Sequence, residues 1–251
     1  MVRKEISYIL PFLITLLLFS SCGRNKYKVE GTSSITSLDG KMLFLKVFQN
    51  DGQWITVDSA EVIHGFFHME GPVDSVRMVT LYMDDEGIMP VVLESGKIKV
   101  TLSNEQLMAK GTPLNDALYE FIEKRNSLEL QLDEVDWKEA RMVLDGANLE
   151  DIHEQLNKES EDLLKEMNDY VKGFIAENYE NVLGPSVFMM LCSTLPYPMM
   201  TPQIEDIMRT APTSFKENFF VKDFLSKAKE NMQLIEEQKR MKQNASVGGQ
   251  K

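Results

Sequence analysis

The segment Lys110-Gly111-Thr112-Pro113-Leu114-Asn115 separates two incompatible hydrophobic patterns. Before it, short β-branched and aromatic runs alternate with turn residues. After it, apolar residues recur at three- and four-residue spacing, the signature of a helix face. The segment itself is written as a helix start. Thr112 suits the N-cap, where its hydroxyl can accept from a free first-turn amide. Pro113 suits the first helical position, where its missing N–H costs nothing. Asp116 places negative charge near the positive end of the helix dipole. Leu114, Ala117, Leu118, Phe121, Ile122 and Leu128 then form one apolar stripe, interrupted by Arg125.

Residues 27–110 carry about seven strand-like runs at roughly 8–14-residue spacing, which suggests an antiparallel sandwich or barrel. Asn50-Asp51-Gly52 is a strong hairpin signal, because Asn and Gly tolerate positive φ. Nine of the 14 glycines lie between residues 23 and 111, and only three between 112 and 243, which supports a change of architecture at Gly111. Residues 111–243 predict a helical domain. After the first helix, 136–141 reads as a separate helical turn, with a break at Asp145-Gly146. A long amphipathic helix spans Leu149 to Ile175, and Gly184-Pro185 stops and restarts the chain. Pro196, Pro198 and Pro202 forbid regular helix around Met199-Met200. A short helix holds Ile204, Ile207 and Met208, and a long last one runs from Phe215 to Ile235. Residues 244–251 read as a disordered tail. The fold class expected is α+β, an N-terminal antiparallel β-sandwich or barrel followed by a C-terminal α-helical domain.

The N-terminus carries an address. Arg3 and Lys4 precede an apolar run from Ile6 to Phe19, followed by Ser20, Ser21 and Cys22. A positive start, a short apolar stretch and small residues before a cut describe a secretory signal. Ending on Phe19-Ser20-Ser21-Cys22, residues 1–21 resemble a bacterial lipoprotein signal peptide, with Phe19 where such signals usually have Leu. The resemblance implies that Cys22 becomes an acylated, palmitate-bearing first residue, that 22–26 is a lipidated tether, and that the lipid bilayer is a partner. More than one acyl chain gives stable anchoring. No acidic pair follows Cys22, so the expected location is the cell envelope, at the outer membrane and facing the periplasm.

Composition removes several function classes. The formal net charge is −12, and losing residues 1–21 would make it −13. An acidic chain without a basic block argues against nucleic acid or an anionic membrane surface as direct partners. With Cys22 acylated, Cys192 is the one remaining thiol, so no internal disulfide can form. Cys192 is the only candidate nucleophile, yet Val187, Phe188, Met189, Met190 and Leu191 surround it with apolar neighbours, which raise a thiol pKa. His64 and His68 have metal-like spacing, but four residues along a strand span about 13 Å, too far for one zinc ion. Asp84, Asp85 and Glu86 read as a solvated turn. Met189, Met190, Met199 and Met200 read as core despite their soft sulfurs. No phosphate loop, dinucleotide fingerprint or nucleophile elbow occurs. The expectation is no catalytic residue, no metal and no cofactor. Asp58-Ser59-Ala60 and Asp74-Ser75-Val76 each resemble a short O-glycan acceptor of some Gram-negative envelope proteins, which makes Ser59 and Ser75 candidate O-glycosylation sites.

A wider resemblance rests on ordered motifs. Leu43 to Lys46, Asp58-Ser59-Ala60 leading into Gly65-Phe66-Phe67, Gly71, Leu93-Glu94-Ser95-Gly96 and Gly111-Thr112-Pro113-Leu114-Asn115 together resemble a domain of unknown function. It stands at the N-terminus of thioredoxin-like envelope lipoproteins of Gram-negative bacteria. Tyr170, Glu177-Asn178 and Leu183-Gly184-Pro185 resemble the helical connector of the same proteins. The thiol–disulfide domain that follows in such proteins has no counterpart here, so none of its redox residues transfers. The function expected is non-enzymatic: a tethered binding or scaffold module with an envelope protein partner. Two alternatives stand beside it. One is an accessory to envelope thiol–disulfide exchange; the other is a small-ligand or glycan binder using Trp54 or the aromatic strands.

Overall fold

A computed structural model describes residues 25–146 and 148–248. The expected signal peptide, the acylation site Cys22, the first part of the tether and residues 249–251 lie outside the described residues. Among those described, eight strands come first: β1 Lys26–Ser33, β2 Met42–Phe48, β3 Trp54–Glu61, β4 Phe66–Pro72, β5 Arg77–Met83, β6 Glu86–Leu93, β7 Gly96–Leu102 and β8 Leu107–Lys110. Six helices follow: α1 Pro113–Leu144, α2 Leu149–Glu177, α3 Leu183–Ser193, α4 Pro202–Thr210, α5 Thr213–Lys216 and α6 Phe219–Gly248. The layout is the α+β arrangement that the two hydrophobic periods imply.

The strands form two four-stranded sheets, ordered β4-β1-β7-β8 and β3-β2-β5-β6. Alternation puts Tyr27, Val29, Phe67, Met69, Ile98 and Val100 of the first sheet inside, against Leu43, Leu45, Val79, Leu81 and Val91 of the second. One pair departs from the expected antiparallel pattern: β1 lies parallel to β7. Parallel neighbours need a long crossover, and here the second sheet supplies it, because the chain builds β2, β3, β5 and β6 between the two. The strand that pattern reading missed is β8. Its four residues are too few to show alternation, and they follow a turn closed by Ser103 and Gln106.

The helical half corrects three expected boundaries. The region 129–136 does not interrupt the first helix; α1 is continuous over 32 residues. Gln131, Leu132, Glu134, Lys138 and Ala140 are strong helix formers. α2 also runs antiparallel beside α1, with ion pairs Lys124–Glu166 and Lys138–Glu159. The expected last helix is split at Glu217-Asn218, because the Asn218 side chain accepts from Phe220 N at 3.1 Å and starts α6 afresh. α6 then continues to Gly248, into the segment expected to be a disordered tail. Residues 236–243 are straight-chain helix formers, which carry a helix past the end of its apolar stripe.

One continuous apolar core runs from Tyr27 and Val29 in β1 through Leu118 and Phe121 in α1 to Phe224 and Ala228 in α6. The strand half and the helical half therefore share a core. A second, small core of Val135, Ile152 and Leu156 sits in the distal part of the α1–α2 hairpin.

Candidate functional site

The second sheet meets the helices in two places, and the two are built differently. The first is at the edge strand β6. Asn115, fully buried, turns its amide onto the β6 backbone: Val92 N donates to Asn115 Oδ1 at 2.9 Å, and Asn115 Nδ2 donates to Val92 O at 2.8 Å. The side chain thus completes the hydrogen bonding of an exposed edge as a further strand would. Glu94, 8 % exposed, caps α1 from outside the helix. Its Oε1 accepts from Leu114 N at 2.8 Å and from Asn115 N at 3.1 Å. These are two of the amides that a helix start leaves free. This corrects the N-cap reading of Thr112. Thr112 does occupy the N-cap position, but its side chain makes no cap bond; Oγ1 accepts instead from Asn115 Nδ2 at 2.9 Å. Asp116 reaches back, accepting from Gly111 N at 2.8 Å, and Tyr119 donates to Pro90 O at 2.9 Å. Gly111 has φ +104° and lies so close to β7 that an added Cβ would meet Lys97 O at 2.7 Å. The motifs Leu93-Glu94-Ser95-Gly96 and Gly111-Thr112-Pro113-Leu114-Asn115 are thus two halves of one clasp.

The other quoted motifs also meet as structure. β1 and β4 pair Tyr27 with Gly71 and Gly31 with Phe67. Each aromatic ring lies over the opposing glycine: a Cβ on Gly31 would fall 2.0 Å from the Phe67 ring, and one on Gly71 2.6 Å from the Tyr27 hydroxyl. That hydroxyl donates to Asp58 Oδ2 at 2.8 Å, while Asp58 Oδ1 accepts from Ser59 N at 2.8 Å. Burial first, and then the bond to Asp58, pushes the Tyr27 phenol well above its ordinary range. These residues close strands and fill space.

The residues singled out for chemistry lie apart. Cys192 is a buried free thiol in α3, and burial pushes it up to about 12, away from the reactive thiolate. Ser59 is exposed on β3 and Ser75 is exposed in the β4–β5 bend. His64 sits at φ +53° in the turn before β4, while His68 lies exposed within β4, its Nε2 3.8 Å from Glu70. Among the described residues no group of three His, Cys, Asp or Glu side chains is placed to hold a metal ion.

The second meeting place is open. The outer face of β2, β3 and β5 begins to pass under the helices and then leaves a groove of about 830 Å³ between them. Phe48, Trp54, Met78 and Thr80 line the sheet side; Val182, Pro185, Met189 and Phe220 line the helical side. The aromatic rings are contiguous. Trp54 lies 5.1 Å from Phe48 and 5.3 Å from Tyr82, and Phe48 lies 5.9 Å from Phe220. Lys46 Nζ stands 4.6 Å over the Tyr82 ring. Trp54 is still 48 % exposed and Phe48 40 %. Arg77, Glu180, Asn181 and Asn218 supply a polar rim. Such an apolar floor with a few polar groups at its margin suits reversible binding. Trp54 was legible as a candidate; Phe48 could have been paired with it across the Asn50-Asp51-Gly52 turn, since the two are direct cross-strand partners. Phe220, some 170 residues later in the chain, carries no sequence signal that would place it there.

No curated protein matches the chain. A family model does, over residues 27–118, a span that takes in the whole sandwich, the clasp and the first turns of α1. Beyond it the described residues form helices and no thioredoxin-like domain. The family model that matches residues 27–118 is the one described as Domain of unknown function (DUF4369).

Proposed function

We propose that the protein is a non-enzymatic binding module tethered to the cell envelope, and that its ligand site is the open aromatic groove. The observation that carries this is the run of four neighbouring rings, Phe220, Phe48, Trp54 and Tyr82, the first three of which line an open apolar groove. An array of mutually tilted aromatic rings rimmed by Arg77, Glu180, Asn181 and Asn218 has the chemistry that a sugar ring needs: a C–H face stacks on an exposed ring while hydroxyls find polar partners. The ligand class is therefore a neutral oligosaccharide.

The tether reading rests on the N-terminal signal. β1 begins at Lys26, so an acylated Cys22 would hold the sandwich within about 14 Å of the bilayer surface. No helix among the described residues is long and apolar enough to cross a membrane. Labelling cells with an alkynyl palmitate tests the anchor: the wild-type chain incorporates label and the Cys22→Ala variant does not. Calorimetric titration with neutral oligosaccharides tests the site. Saturable binding that Trp54→Ala abolishes supports the reading. Absence of heat with every sugar, or binding that survives Trp54→Ala, overturns it.

A further inference from the structure

The distal part of α1 carries a feature that the groove does not use. Leu130, Trp137 and Leu144 are exposed by 64 %, 72 % and 85 %. They recur every seven residues, so on a helix they share one narrow stripe. Buried Leu128 and Val135 define the face of α1 that packs inward. At about 100° per residue the stripe lies half a turn away from that face. A solvent-facing helix surface normally carries polar residues there. Three large apolar side chains seven residues apart form one continuous apolar edge along the helix, with one large position per heptad where a full coiled-coil seam has two.

We propose that this stripe is the interface of a homodimer, in which α1 of one copy packs antiparallel on α1 of a second, with the two-fold axis beside Trp137. The charges select this partner and this direction. In the antiparallel register Leu130 faces the second copy's Leu144, the two Trp137 rings meet at the axis, and Glu134 comes beside the second copy's Arg141. Glu134 and Arg141 lie on the same flank of the stripe, and neither makes an ion pair among the described residues. In a parallel pair the two copies' Glu134/Arg141 flanks would fall on opposite sides of the seam, and this pairing would be lost. The geometry also leaves room. Trp137 lies about 24 Å along the helix from Phe121, the last fully buried α1 residue of the main core, so the two bodies sit at opposite ends of the helix pair. The separate small core under Val135 holds the hairpin out as a self-supporting arm. A seam of two heptads is short, which makes the dimer weak and concentration-dependent.

The test is crosslinking of the full chain in cells. In the antiparallel register Asp133 of one copy falls beside the second copy's Ala140, so the double variant Asp133→Cys/Ala140→Cys keeps the stripe intact and gives a disulfide-linked species of twice the mass, which Asn104→Cys in the β7–β8 turn does not. Sedimentation equilibrium of the purified full chain in detergent adds a charge exchange. Glu134→Arg weakens association at least fivefold, Arg141→Glu does the same, and the double variant regains most of it. Trp137→Ala leaves a monomer with unchanged thermal unfolding, since the ring is exposed. A monomer at every concentration overturns the proposal and assigns the stripe to a different helix. Dimerisation indifferent to Trp137→Ala, or singles that the double variant fails to rescue, overturns it as well. None of these readouts depends on a ligand in the groove.

Discussion

The two places where the second sheet meets the helices invite comparison. At β6 the contact is closed: Asn115 and Glu94 are buried, and every one of their recorded bonds goes to backbone or to each other's neighbourhood. At β2 and β3 the same sheet face ends in exposed rings. A buried polar group is costly unless bonded, so a clasp of this kind specifies one arrangement of strand and helix. An aromatic group left half in water specifies little about the fold and remains available to a ligand. The difference separates what holds the molecule together from what it presents to others. It also places Leu93-Glu94-Ser95-Gly96 and Gly111-Thr112-Pro113-Leu114-Asn115 on the first side of that divide.

Substitutions at the two ends should therefore behave in opposite ways. The largest effect on stability is expected for Asn115→Leu, which strands Val92 N and O beside a buried Glu94. The loss is about 3–5 kcal/mol, read as a fall in the urea midpoint. Gly111→Ala forces a side chain into a positive-φ position against Lys97 O and costs about 2 kcal/mol. If both variants unfold with the wild type, the clasp does not hold the joint. Cys192 sharpens the comparison through pH. Its thiol keeps its proton up to about 12 when folded, against an ordinary 9 when unfolded. The folded chain then binds more protons in that window, so the thiol's contribution is constant below pH 9 and lowers stability as pH rises from 9 toward 12. Tyr27 and Tyr119 are raised too and act in the same sense. Cys192→Ala should flatten part of that alkaline decline, measured by urea titration at stepped pH. At the open end Trp54→Ala is expected to cost less than about 1 kcal/mol, because the ring is only half buried. Lys97→Ala breaks the solvent-exposed pair with Glu30 and should leave the urea midpoint essentially unchanged.

Much of this was legible in order of locality. The helix start at Pro113 follows from neighbouring residues, and so do most of the strands. What sequence could not show is that Glu94, not Thr112, bonds the first amides of α1, because the partners are 20 residues apart and meet only after both sheets have formed. The parallel β1–β7 pair escaped for the same reason: its partners are joined by an entire second sheet. The full length of α1 is not legible in sequence because its apolar stripe fades after Leu128, where pairing with α2 and intrinsic propensity carry the helix on. The groove was half legible. Trp54 and Phe48 are hairpin partners, but Phe220 joins them only through the shared core.

The most direct measurement is the emission of Trp54, read in a Trp137→Phe background so that one indole reports, during titration with neutral oligosaccharides. A saturable change in intensity and wavelength that Phe220→Ala abolishes is the expected result, since the ring from the helical half closes the site. An emission that no sugar alters, or a change that persists without Phe220, would contradict the assignment of the open seam as the binding site.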